Sequence, residues 1–197
     1  MASRAAKGTD GRVLRAERSR EAIVDALVAL VGEGTPIPTA QQVADRAGVG
    51  IRTVFRHFSD MESLFAEVSA RLRAEIQPLL RGRPIAGSPA TRARELARRR
   101  ARLFERILPY RRSTQIQRWN SPFLEAQLRS DHRELRAELR RWLPELGAAG
   151  TDAGEALDAA LSPELWMRLR IEQRLGVKRA EASYKRVALA LVESLDL

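Results

Sequence analysis

The side chains best suited to chemistry in this sequence are cationic and hydroxyl groups between residues 50 and 57. Arg52, Thr53, Arg56 and His57 fall on one side of a predicted helix. An arginine guanidinium can donate two hydrogen bonds to O6 and N7 of guanine, and a threonine can contact a thymine methyl group or a phosphate. A histidine can also reach a phosphate. These residue types favour contact with double-stranded DNA.

Catalysis has little support in the sequence. The chain has no cysteine, which excludes a thiol nucleophile and a thiolate metal site, and its histidines are His57 and His132. Asp131 next to His132 does not make a triad, because a nucleophile and oxyanion donors must also converge. Glu134 and Glu138 lie among arginines and are interpreted as solvated helix ion pairs. With no phosphate loop or metal-ligand spacing, we expect a protein that is not an enzyme and has no cofactor and no metal.

Two short helices are predicted to position the residues 50–57. Thr39-x-x-Gln42 matches a capping box and predicts the start of the first helix. Gly48 predicts its end, because glycine readily adopts positive φ. Ser59-x-x-Glu62 predicts a second capping box at the start of a later helix. The inner face of the helix between them is predicted at positions i, i+3, i+4 and i+7: Ile51, Val54, Phe55 and Phe58.

The spacing of these two helices is that of a helix-turn-helix. Ala44, Ala47 and Gly48 are small enough for the helices to cross closely. The second helix can then project from the surface into a major groove about 12 Å wide. The free N–H groups at the start of the first helix add an anion site. The alternative on spacing alone is an ordinary helical hairpin.

The remaining sequence is also helical in pattern, so we expect an all-α protein. An apolar stripe from Ala22 to Val31 predicts a helix over residues 15–33. Residues 81–89 are rich in Gly and Pro and predict a linker. Ser162-Pro163 predicts a kink or a split within one of five further helices. Those helices are predicted at 90–108, 110–119, 121–146, 152–175 and 177–195.

The basic excess is dominated by arginine and is uneven along the chain. The 197 residues are 44% hydrophobic and 30% charged, with a net charge of +10. Residues 1–20 carry six basic and two acidic side chains and predict a basic arm. Residues 81–118 carry twelve arginines against two glutamates. We interpret this second cluster mainly as a solvated face, with an acidic-ligand site around residues 98–102 as the alternative.

Segments for membrane insertion or export are not evident. No run approaches 18 consecutive apolar residues, and residues 1–20 lack the apolar core of a secretory signal. We therefore expect a cytoplasmic protein with no membrane partner.

Residues 39–65, TAQQVADRAGVGIRTVFRHFSDMESLF, resemble the DNA-binding domain of the TetR family of bacterial transcriptional regulators. The resemblance implies an N-terminal three-helix DNA-binding domain with a helix-turn-helix and a C-terminal helical ligand-binding and dimerisation domain. It divides the chain into a basic flexible arm (1–14), a DNA-binding domain (15–60) and a regulatory domain (61–197). The matching features are Val43-Ala44, Ala47-Gly48-Val49, Thr53-Val54-Phe55, His57-Phe58 and Glu62-Ser63-Leu64.

The resemblance also implies which residues contact DNA. Arg52 and Arg56 would read bases, and Thr53 and His57 would contact the backbone. The full set comprises Thr39 on a phosphate, Gln41 at the groove, Gly50, Ile51, Arg52, Thr53, Phe55, Arg56 and His57 on the recognition helix, and Arg12, Arg15 and Arg18 from the arm.

Two departures from the family pattern reduce the expected contacts with DNA. Phe55 stands where the family often has Tyr, and Met61 stands where Lys is common. Each lost cationic contact to phosphate removes roughly one unit from the salt dependence of binding. The alternative function is therefore a helical interaction protein that has lost specific DNA binding.

For the C-terminal half, the resemblance implies a homodimer that responds to a small-molecule effector. Repression is the expected role, with the effector releasing the dimer from a pseudo-palindromic operator. Candidate ligand residues are Phe104, Trp119, Phe123, Trp142, Trp166, Met167 and Arg170. Candidate dimer residues are Leu157, Leu161, Leu165, Leu169, Val187, Leu191 and Leu195, for which packing within the monomer is the alternative.

Overall fold

The computed structural model describes residues 3–146 and 152–194, with side chains from residue 13 onward. Within these ranges all regular elements are helical, which confirms the all-α prediction. The helices are α1 (Ser3–Gly32), α2 (Ala40–Ala47), α3 (Ile51–His57), α4 (Met61–Leu80), α5 (Pro89–Gln117), α6 (Pro122–Trp142), α7 (Asp152–Ala160), α8 (Pro163–Met167) and α9 (Val177–Glu193). Short 3₁₀ turns follow α5 (Arg118–Asn120) and α6 (Pro144–Leu146), and a π-helical segment (Arg168–Glu172) follows α8.

Prolines shape two of the later helices differently. Pro109 lies inside α5, so the break predicted near residue 109 is wrong. One missing N–H does not end this helix, because Phe104 before it and Ser113 after it are both buried. Ser162 and Pro163 do split the predicted helix. The Ser162 hydroxyl accepts a hydrogen bond from Leu165 N (3.2 Å) and caps α8.

The cap of α4 differs from the predicted one. Asp60 precedes the helix, and its carboxylate accepts a hydrogen bond from Ser63 N at 2.7 Å. The predicted Ser59–Glu62 box is therefore displaced by one residue. An aspartate accepts more strongly at an N-cap than a hydroxyl because it carries a charge. Glu62 instead accepts a hydrogen bond from the Ser121 hydroxyl.

The chain divides into two compact units. Unit 1 comprises Met1–Arg73 and Ser113–Leu124, and unit 2 comprises Ala74–Arg112 and Glu125–Leu197. Residues 3–14 are the first turns of α1 rather than a separate element. The functional boundaries predicted at residues 14 and 60 remain predictions.

Unit 1 buries one side of each of its first three helices. Ile23 and Leu27 of α1, Val43 of α2 and Val54 of α3 are at most 1% exposed. A remote segment of sequence completes the unit, because Ser113 donates a hydrogen bond to the Pro36 carbonyl oxygen at 2.6 Å. The turn before α2 is thereby held by the end of α5.

Unit 2 has an aromatic core. Tyr184 lies edge-on to Phe104 and Trp166, with ring centroids 6.5 Å and 5.6 Å apart. Trp142 and Trp166 are fully buried. Burial also raises the pKa of the Tyr184 phenol strongly.

A charged pair lies inside this core. Arg100 and Glu138 have side chains 1% and 3% exposed, and the guanidinium Nε lies 3.0 Å from the carboxylate. Arg100 also donates to the carbonyl oxygens of Leu161 (2.8 Å) and Leu135. The prediction that Glu138 is a solvated ion-pair residue is wrong. A single-helix pattern cannot show that this face of α6 meets an arginine of α5.

Glu138→Ala should lower the free energy of unfolding by about 3–5 kcal/mol, because it leaves the Arg100 charge buried without its partner. Arg98→Ala is the matched control, since its pair with Glu95 is partly exposed, and should cost at most about 1 kcal/mol. Denaturant unfolding measures both. A similar loss in the two variants would contradict the assigned role of burial.

Candidate nucleic-acid interface

The start of α2 is built as predicted. The Thr39 hydroxyl accepts a hydrogen bond from Gln42 N (3.2 Å), and the Gln42 side chain accepts one from Thr39 N (2.8 Å). The capping box is therefore confirmed. The Thr39 hydroxyl proton is not used in either bond, so it can be donated to a phosphate. The first N–H groups of a helix attract an anion in the same direction.

The turn between α2 and α3 requires glycine at one position. Gly48 has φ +66°, in the left-handed region. Gly48 N donates to Asp45 O (3.2 Å), and Val49 N donates to Ala44 O (3.0 Å). These bonds close α2 and let the chain reverse within three residues. Gly50 has φ −72° and precedes α3 in extended conformation, so it carries no such requirement.

Only half of the predicted inner face of α3 is buried. Val54 and Phe58 are 1% and 4% exposed, whereas Ile51 and Phe55 are 38% and 48% exposed. The prediction of an inner face is wrong for Ile51 and Phe55. Val54 and Phe58 are four residues apart and form one row of side chains, and Ile51 and Phe55 form the neighbouring row. A seven-residue helix packed on α1 and α2 buries only one of the two rows. Ile51 and Phe55 instead place apolar groups on the outer surface, where thymine methyl groups are one suitable contact.

Arg52 and Arg56 are exposed on α3, and the described residues supply no acidic partner to either. Arg46 of α2 differs, since it forms a bidentate pair with Glu33. The pair raises the pKa of Arg46 and lowers that of Glu33. Arg52 and Arg56 are thus the guanidinium groups of the helix-turn-helix that remain available to an external ligand.

Four other predicted contact residues with described side chains lie on α1, α2 and α3. Gln41 is exposed, and its amide donates to the Asp45 carboxylate (2.7 Å), which leaves its oxygen able to accept a hydrogen bond. Thr53 is half-buried. Arg15 and Arg18 are exposed on α1. The side chain of Arg12 lies outside the part of the chain described by the structure.

His57 is packed more closely than a phosphate contact requires. The side chain is half-buried, and among the described residues its Nε2 atom is buried without a hydrogen-bond partner. Burial lowers the pKa of His57, and the charges of Arg56 and Arg20 lower it further. Arg20 itself stacks on the Phe58 ring, 4.7 Å from its centroid. The predicted phosphate contact remains a prediction.

The candidate effector residues are not gathered in one place. Phe104, Trp142 and Trp166 are core residues of unit 2, at most 2% exposed, and Trp166 also borders a groove in that unit. Arg170 is occupied by a bidentate pair with Glu105 (2.8 Å to each oxygen). Met167 is half-buried in unit 2, whereas Trp119 and Phe123 belong to unit 1, where Trp119 is 77% exposed.

The candidate dimer residues also separate into two groups. Leu157, Leu161 and Leu169 are buried in the core of this chain, so packing within the monomer, the alternative interpretation, describes them. The expectation that they form a dimer contact is not supported. Leu165 and Leu191 are half-buried and Val187 is 40% exposed, so these three remain candidates. Leu195 lies outside the described residues.

Two absences hold for the described ranges. No helix is long and apolar enough to cross a membrane. No three His, Asp or Glu side chains come close enough together to bind a metal ion.

Comparison with known proteins agrees with the geometry of a helix-turn-helix DNA-binding protein. The sequence model for "Bacterial regulatory proteins, tetR family" matches residues 23–68, from α1 to α4. A comparison with curated protein sequences gave no match. Residues 23–68 thus match the TetR-family N-terminal domain, and this match supports a DNA-binding regulator.

Solved structures show the same fold over most of the chain. A transcriptional regulator from Rhodococcus sp. Rha1 has a TM-score of 0.62 and 19% identity, with 91% of this chain and 96% of that chain covered. A protein from Mesorhizobium loti, described as a TetR-family transcriptional regulator, has a TM-score of 0.59 and 19% identity, with 91% of this chain and 98% of that chain covered. A protein from Clostridium perfringens, described as a fatty acid metabolism regulator, has a TM-score of 0.61 and 14% identity, with 86% of this chain and 97% of that chain covered. The C-terminal half therefore has the helical architecture expected from the resemblance.

Gly48→Ala should lower the free energy of unfolding by about 1–2 kcal/mol, because an L side chain is strained at positive φ. Gly50→Ala is the matched control. Both positions have open space for a Cβ atom, but Gly50 has negative φ, so this variant should unfold almost like the wild type. Equal losses in denaturant unfolding would contradict a requirement for the left-handed turn.

The lowered pKa of His57 predicts that the free energy of unfolding decreases as the pH is lowered. The unfolded chain binds this proton near the ordinary pKa of 6.5, and the folded chain binds it only at lower pH. As pH falls from about 7 to 5, the unfolded state therefore gains protons first and the free energy of unfolding decreases. His57→Asn should show a shallower decrease than the wild type. An unchanged slope in His57→Asn would contradict this role of His57.

Proposed function

We propose that the chain is a homodimeric, sequence-specific repressor that binds a pseudo-palindromic operator in the cytoplasm and is released by a small-molecule effector. It acts by binding, without catalysis. The exposure of Arg52 and Arg56 on α3, with no acidic partner among the residues that the structure describes, carries the proposal. A recognition helix reads bases only if its cations are not already neutralised by the protein.

The proposed base contacts follow from side-chain chemistry. Arg52 and Arg56 lie four residues apart, so they lie on one face of α3, about one turn apart. Each can donate bidentately to a guanine, while Ile51 and Phe55 contact thymine methyl groups. Thr39 and the start of α2 hold a phosphate, and Arg15 and Arg18 follow the neighbouring backbone.

A two-fold dimer is the proposed assembly, because it presents two recognition helices to two half-sites about one helical turn, or a multiple of it, apart. Leu165, Val187 and Leu191 supply partly exposed apolar groups for the contact. Effector binding in unit 2 would change the separation of the two recognition helices, so that both half-sites could no longer be bound together. A groove of about 330 Å³ beside Trp166 and Arg102 is the proposed place for this effector.

Selection of bound duplexes from a random DNA pool, at near-physiological salt and without ligand, tests the proposal. A palindromic consensus is the expected result, and its half-site spacing reports the dimer geometry. Enrichment of no sequence would favour the alternative, an interaction protein without specific DNA binding. Phe55 motivates that alternative, because its exposed ring lacks the hydroxyl common at this position.

Arg52→Ala and Arg56→Ala should each weaken binding to the selected operator by about 1–3 kcal/mol and relax the preference at particular base pairs. Arg133→Ala removes the same charge from an exposed site in unit 2 and should leave the preference unchanged. Fluorescence anisotropy with single-base operator variants measures these effects. A uniform loss on all sequences for Arg52→Ala and Arg56→Ala would contradict base reading.

A further inference from the structure

Unit 1 contains a groove that the proposed DNA contacts do not use. It has a volume of about 230 Å³ and lies between the turn before α2, the start of α4 and the end of α5. Its walls are largely apolar and include Ile37, Met61, Phe65 and Ile116. The groove therefore lies within the same unit as the helix-turn-helix and separate from the groove of unit 2.

The apolar walls are unusually open to solvent. Ile37 and Ile116 are 52% and 43% exposed. Large aliphatic side chains gain free energy when they leave water, and apolar surface that lines a concavity is typical of a ligand site. These walls favour an occupant with an apolar body.

The polar side chains of the groove comprise one carboxylate, that of Glu62, the Ser121 hydroxyl, and the amides of Gln117 and Asn120. Glu62 is its one charged lining residue, and the Ser121 hydroxyl donates to the first oxygen of that carboxylate. The described residues provide no ion-pair partner for Glu62. The Gln117 amide already donates both of its hydrogens, to Pro36 O (3.2 Å) and Ser113 Oγ (2.9 Å). Gln117 can therefore offer only its oxygen.

We infer that this groove binds a small organic cation, with an apolar body and one protonated amine placed against Glu62. A carboxylate and an amide oxygen complement an ammonium donor and repel an anion. The volume holds about eight water-sized groups, which fits one aromatic ring with a short side chain.

Binding in the groove would also affect the turn before α2. Ile37 lines the groove, and the neighbouring Pro36 carbonyl is held by Ser113 and Gln117. An occupant would restrain this turn and hence the start of α2, where Thr39 faces the proposed phosphate. This consequence for DNA affinity rests on the proposed function, whereas binding of the cation does not.

The test uses the full chain and three ligands of matched shape: 2-phenylethylammonium, neutral 2-phenylethanol and anionic 3-phenylpropionate. Titrations followed by amide NMR shifts should give the cation a Kd of about 0.1–1 mM, as expected for a ligand of this size. The cation should bind about tenfold more tightly than the alcohol, and the anion should not saturate. Equal binding of cation and alcohol, or shifts that exclude Ile37 and Ile116, would overturn the inference.

Glu62→Gln keeps an acceptor for Ser121 and removes the charge, so the affinity for the cation should fall about tenfold to that of the alcohol. Glu67→Gln is the matched control on the same helix, because Glu67 pairs with Arg20 and does not line the groove. An unchanged affinity in Glu62→Gln would refute the inference. If Glu62→Gln does not fold, the ratio of cation to alcohol binding by the wild type decides.

DNA binding is measured separately, with and without the cation at saturation. A change in operator affinity of at least twofold that Glu62→Gln abolishes is the expected result. An unchanged affinity would overturn the effect on α2 while the NMR result stands. Failure to bind DNA even without the cation would instead refute the proposed function.

Discussion

The proposed DNA-binding surface depends on the burial of one narrow edge of α3. This helix has seven residues, and helices of that length are not stable in water by their own hydrogen bonds. Val54 and Phe58, both nearly inaccessible to solvent, attach it to α1 and α2. All other side chains of α3 take their direction from this attachment. The exposed arginines are therefore oriented by apolar contacts on the opposite side of the helix.

The distribution of charge separates the two roles of arginine in this chain. Unit 2 has 23 basic and 16 acidic residues, whereas unit 1 has 12 and 9, so net charge alone does not single out the unit that contains the helix-turn-helix. In unit 2 many guanidinium groups are bound by carboxylates. Arg111 contacts Glu164 at 2.7 Å, and although burial raises the pKa of Glu164, hydrogen bonds from His132 and Arg111 and the Arg111 charge lower it to about 2. Arginines paired in this way join helices to one another. Only arginines without a carboxylate partner are available to bind an external ligand.

Local signals in the sequence predicted the local structure well. The capping box at Thr39, the left-handed Gly48 and the split at Ser162 each depend on side chains within a few residues, and each is confirmed. The resemblance over residues 39–65 is confirmed by a family match that extends over 23–68.

Features that depend on distant contacts were not predictable in the same way. The periodicity of α3 could not decide which of two rows of side chains is buried, so Ile51 and Phe55 were placed inside. The Arg100–Glu138 pair joins residues 38 positions apart, and no single helical pattern reveals it. Leu157 and Leu161 form a stripe that suits a partner helix from the same chain or from a second copy. Their burial in unit 2 required the structure.

The composition of unit 1 limits how this sequence can be recombined with others. The end of α5 and the start of α6 belong to unit 1, which contains the helix-turn-helix, although 39 residues of unit 2 precede them in the chain. A fragment that stops at residue 73 would lose the partners of the Pro36 carbonyl and of Glu62. A chimera that joins unit 1 to another protein must therefore also carry residues 113–124. In this protein the exchangeable module is discontinuous in sequence, so a single crossover cannot transfer it.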